Sequence, residues 1–65
     1  MTRDELLSLP VTVDVETAGR AFGVGRTVAY RMVRDGDFPV PVLRVGNKLR
    51  VRTAELWREL GMRPE

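Results

Sequence analysis

The chain has 65 residues, 43% hydrophobic and 31% charged, with a formal net charge of +2 and neither cysteine nor histidine. That length allows one small domain, near the size at which a single apolar core only just outweighs chain entropy. Disulfide staples are excluded, zinc would depend on carboxylates alone, and no apolar run approaches the roughly 20 residues of a membrane span, so neither metal, cofactor nor membrane is expected.

No charged-then-apolar leader opens the sequence, and a soluble, cytoplasmic protein is expected. Its charge is unevenly spread. Residues 1–25 carry two basic against four acidic side chains, and the stretch from Thr53 onward carries two against three. Between them, Arg26, Arg31, Arg34, Arg44, Lys48, Arg50 and Arg52 face only Asp35 and Asp37, a net of +5. Segregation of this kind raises the local potential toward a polyanion; a solvated basic surface without a partner is the plainer alternative.

In chain order, residues 1–10 read as a short helix or frayed arm. Thr2 and Glu5 have capping-box spacing, and Leu6, Leu7 and Leu9 share a turn before Pro10 ends it. If Leu6 and Leu9 did not cover the domain, they would form an apolar patch for a partner. Val11 and Val13 are extended and lead into Asp14, an N-cap for a first domain helix over about 15–22, with Val15, Ala18 and Phe22 as its buried stripe. Gly19 interrupts that helix at a cost of ~1 kcal/mol relative to alanine, which suits close approach by the next helix. Phe22→Ala is expected to unfold the domain if the ring is buried.

The short connection Gly23-Val24-Gly25 predicts a helix–turn–helix pair, with Val24 plugging the angle between the two helices. With Gly25 as N-cap and Gly36 just past the C-terminus, the second helix buries Ala29, Met32 and Val33. Its other side projects Thr27, Arg31 and Arg34, with Arg26 and Tyr30 on the flank. Such a helix has the width of the DNA major groove, where Arg and Thr reach phosphates and base edges. Tyr30 fits two roles equally, packing on the hairpin or touching DNA.

The prolines of Asp37-Phe38-Pro39-Val40-Pro41 keep that segment extended, with Phe38 as its anchor. Residues 42–45 and 49–52 then read as a β-hairpin. A two-residue Gly46-Asn47 turn would pair Arg44 with Leu49 and mix polar and apolar residues on both faces. A three-residue Gly46-Asn47-Lys48 loop pairs Val45 with Leu49 and Leu43 with Val51, leaving Arg44 and Arg50 together, and is the register expected. Thr53 is the expected N-cap of a last helix over 54–60, where Leu56, Leu60 and Trp57 close the core and Gly61 ends the element. The chain divides into an arm (1–10), a domain (11–61) and a tail (62–65). Its expected class is mainly α with a β-hairpin: a small winged helix-turn-helix.

The run G-V-G-R-T-V-A-Y-R, then R-D-G-D-F-P, L-R-V-G-N-K-L-R-V and A-E-L, resembles the excisionase-type branch of the MerR-like winged helix-turn-helix proteins, small DNA-binding proteins of actinobacterial phages, prophages and integrative plasmids. The likeness spans residues 13–60. It implies that the second helix of the pair enters the major groove, with Arg26, Thr27, Tyr30 and Arg31 at recognition positions, and that the wing, with Arg44, Arg50 and Lys48, lies along the adjacent backbone or minor groove. Gly25 stands where the family usually has a capping serine, and Asn47 where a basic residue is common. The implied role is an architectural protein. Copies occupy neighbouring duplex sites and bend DNA so that an integrase, a further partner, favours excision. Small transcription regulators share the scaffold, which leaves that role open, and a module binding an acidic protein is a third reading. No histidine, cysteine or phosphate-binding lysine loop is present, and the carboxylates are scattered, so no catalytic residue is expected.

Overall fold

The computed structural model describes residues 1–62. These residues form four helices and one antiparallel sheet: α1 (Arg3–Leu7), β1 (Thr12–Asp14), α2 (Val15–Ala21), α3 (Arg26–Arg34), β2 (Leu43–Val45), β3 (Lys48–Arg52) and α4 (Thr53–Leu60). The sheet has three strands in the order β1-β3-β2, so the architecture is mixed α/β rather than mainly helical with a lone hairpin. Residues 12–14, expected only to be extended, form the third strand. Val13 lies opposite Val51, and both are buried, which gives β1 a side-chain reason to pair.

Local signals place the helix ends. The Thr2–Glu5 capping box closes on both sides, Glu5 N–H donating to Thr2 Oγ1 at 3.2 Å and Thr2 N–H to Glu5 Oε1 at 2.7 Å. Asp14 caps α2, its carboxylate accepting from Thr17 N–H at 2.7 Å. Gly25 is the N-cap of α3, and Gly36, at φ 76°, follows its C-cap Asp35. Thr53 is not the cap of α4. It occupies the first helical position behind Arg52, its N–H donates to the Val11 carbonyl at 2.9 Å and its hydroxyl donates to the Pro10 carbonyl, so the side chain is spent on fastening the arm.

The core gathers Val13, Val15, Ala18, Ala29, Val40, Val51 and Leu56, with Leu9, Val24, Val33, Val42 and Leu49 packed around it. Phe22 and Phe38 are half-buried and meet edge to face, centroids 6.2 Å apart. Leu6 is buried, and the Trp57 indole N–H donates to its carbonyl at 2.9 Å. The arm therefore covers the domain, with Leu6 buried and Leu9 packed partly on the core, where it borders a shallow depression shared with Val11, Ala54 and Trp57. No helix among the described residues is long and apolar enough to cross a membrane. Of the expected tail, 63–65 lie outside the described residues, while Met62 N–H donates to the Trp57 carbonyl at 2.8 Å and completes the end of α4.

The hairpin register differs from the one expected. Val45 pairs with Lys48, Arg44 with Leu49 and Leu43 with Arg50, around a two-residue Gly46-Asn47 turn. Gly46 at φ 64° supplies the positive φ that a first turn position of type II′ needs. The reason lies upstream of the hairpin. Val40 is buried and Val42 packs on the core, so the inward parity of this arm is 40, 42, 44 and not 43, 45. Arg44 continues that parity beyond the apolar core and remains exposed, whereas Leu43 and Val45 take the outer face.

Candidate nucleic-acid interface

The nine residues of α3 span about 13 Å at 1.5 Å per residue. Ala29 anchors the helix, fully buried against α2, and Val28, Met32 and Val33 are half-buried beside it. The opposite side carries Arg26, Thr27, Tyr30, Arg31 and Arg34, all exposed, around a shallow depression of about 490 Å³. The Arg26 guanidinium carbon lies 5.8 Å from the Tyr30 ring centroid, within cation–π range. Arg34 Nε meets Asp35 Oδ1 at 3.3 Å, but with 73% of the arginine side chain exposed this pair holds the guanidinium weakly, at about 0–1 kcal/mol.

Gly25 lends α3 no side-chain cap. The first N–H groups of the helix, at its positive dipole end, are thus open to an anion beside Arg26.

A second depression, of about 410 Å³, lies between α3 and the hairpin and is lined by Asp14, Tyr30, Asn47, Lys48, Leu49 and Arg50. Tyr30 borders both depressions, 40% exposed, so the helix face and the hairpin cleft form one continuous surface. Asp14 is the acidic member of the cleft. The Thr17 backbone N–H, then the Thr17 side chain, and more weakly the Arg50 and Arg20 charges, hold its carboxyl below the usual range.

The two hairpin arginines are separated. Arg44 lies opposite Leu49, on the face that Leu49 and Val51 turn toward the helices, whereas Arg50 lies on the other face, opposite Leu43 and Asp14. Arg50 is also half-buried and engaged within the fold. Its Nη2 donates to the Thr12 carbonyl at 3.1 Å and to Thr12 Oγ1 at 3.3 Å, with Nε 3.4 Å from the same hydroxyl. The expected pairing of Arg44 with Arg50 on one basic face is therefore corrected: the two-residue turn sends them to opposite sides. Of the expected site residues, the structure unites Arg26, Thr27, Tyr30, Arg31 and Arg34 on α3 and sets Lys48 across the cleft from Tyr30.

Sequence reasoning left out Asn47 and Asp14 as cleft residues, and counted Arg52 in the basic stretch without giving it a place in the site. Arg52 was legible, because Lys48, Arg50 and Arg52 recur at the two-residue period of a strand face. Among the described residues, no group of three His, Cys, Asp or Glu side chains is arranged to hold a metal ion. Comparison with protein-family models, curated proteins and solved structures returned no match.

Proposed function

We propose that the chain is a small winged helix-turn-helix protein that binds double-stranded DNA, with α3 in the major groove and the β2–β3 hairpin as the wing. One observation carries this reading: the exposed cations and polar side chains of α3 adjoin the Lys48-bearing cleft of the hairpin through Tyr30, so helix and hairpin offer a single duplex-facing surface. Arg26, Thr27 and Arg31 are the candidates for base edges. Arg34, Arg44 and Lys48 are candidates for phosphates, as are the open N–H groups of α3. Arg50, tied to Thr12, acts by shaping the hairpin and through its charge. No step here calls for catalysis, a metal or a cofactor.

A surface this small reads only a few base pairs, so useful specificity calls for several copies on adjacent sites. On the resemblance of the recognition run and wing to excisionases, the proposed role is an architectural protein of the cytoplasm that bends DNA and biases an integrase toward excision. The experiment is a salt titration of duplex binding. Roughly five phosphate contacts predict a log–log slope near −4 to −5, at about −0.9 per phosphate. Absence of binding to any duplex at low salt overturns the reading, and a footprint unchanged by integrase favours a transcription regulator over an excisionase.

A further inference from the structure

The register divides β3 cleanly. Leu49 and Val51 turn toward the helices, while Lys48, Arg50 and Arg52 alternate with them and share the opposite face over about 13 Å. Thr12 lies opposite Arg52, and Val45, opposite Lys48, is 58% exposed, so the outer face of the sheet is open to solvent. Among its strand residues the one carboxylate, Asp14, is held by the Thr17 N–H. The hydrogen bonds to Thr12, the residue opposite Arg52, hold the Arg50 guanidinium over β1 on the Arg52 side. Three like charges on one strand face are not needed to block edge-to-edge pairing, because β3 is the central strand and both its edges are paired.

This face is joined to the α3 surface. A depression of about 420 Å³ lined by Thr12, Val45, Lys48 and Arg50 shares Lys48 and Arg50 with the cleft, and the cleft shares Tyr30 with the depression on α3. Positive surface therefore turns the corner of the hairpin. We infer that the outer face of the sheet, ending at Arg52, is a second phosphate-binding surface that grips the duplex beyond the stretch occupied by α3. The inference rests on the DNA reading above and deepens it: a duplex touching both surfaces follows the protein around the hairpin, and a protein that bends DNA uses such a lateral hold.

The test compares wild type, Arg52→Gln and Arg52→Lys on random-sequence duplexes of about 10 and about 24 base pairs, roughly one and two helical turns. Comparing variants at each length cancels the number of sites per duplex. On the longer duplex Arg52→Gln should flatten the log–log salt slope by about 0.9, the share of one phosphate, with Arg52→Lys restoring it, and on the shorter duplex the proteins should coincide. An Arg52→Gln effect that is absent at both lengths, or equal at both, overturns the second surface while leaving the α3 interface standing. Failure of wild type to bind either duplex overturns the DNA reading itself. The Arg52 side chain makes no cap hydrogen bond, which favours a folded Arg52→Gln protein. If that variant does not fold, the Arg52 amide and guanidinium resonances of wild type serve instead. They should shift with the longer duplex alone, and equal or absent shifts count against the inference.

Discussion

A methyl group added at Gly19 would lie 2.8 Å from Ala29 Cβ, closer than packed carbons approach, and a tight 3.2 Å from Val24 Cγ2. Gly19→Ala should therefore destabilise the fold by about 1–3 kcal/mol through overpacking, despite a helix-propensity gain of roughly 1 kcal/mol. Urea denaturation checks it; a stabilised variant would mean that α3 can move away from α2 at little cost. Asp14 yields a pH prediction. Its folded-state carboxyl titrates below the ordinary aspartate value of about 3.9, so the stability it contributes is complete above that value and is lost as the pH falls through the lower, folded value. Thermal melts should show an acid-side decline that is smaller in Asp14→Ala, itself about 1 kcal/mol less stable at neutral pH from loss of the cap. Both residues were legible in the sequence, because a glycine inside a helix and an aspartate before one are local signals.

At the scale of elements, the helix and the hairpin should fail differently. Arg31→Ala removes a base-edge candidate and should cost about 1–3 kcal/mol of binding while relaxing sequence preference, whereas Lys48→Ala should weaken all sequences alike. Binding-site selection with each variant checks this, and an unchanged preference in Arg31→Ala removes Arg31 from readout. The existence and ends of α2 and α3 followed from caps and apolar spacing within a few residues. The hairpin's register did not, because two distant facts decide it: the inward parity of Val40 and Val42, and the pairing of Val13 with Val51 across β1. Read alone, residues 42–52 favoured the loop that put Arg44 and Arg50 together on one face. Thr53 misled for a related reason, since its hydroxyl answers Pro10, 43 residues earlier, instead of its own helix.

Across the whole molecule, a frame of 33 × 24 × 15 Å carries the basic side chains of α3 on one surface and those of β3 around the hairpin's corner. The candidate site was legible where it lies on one helix, and only partly so on the sheet, where strand parity depends on partners. The arm is part of the same body: Leu6 fills space beside α4, and Thr53 and Trp57 hold the backbone on either side of Pro10. Trp57 is the only tryptophan in the chain, and its ring N–H is committed to the Leu6 carbonyl. Its fluorescence consequently watches the seam between the first ten residues and the last helix, apart from the surfaces proposed to meet DNA. The molecule thus carries a built-in optical probe for detachment of its N-terminal segment.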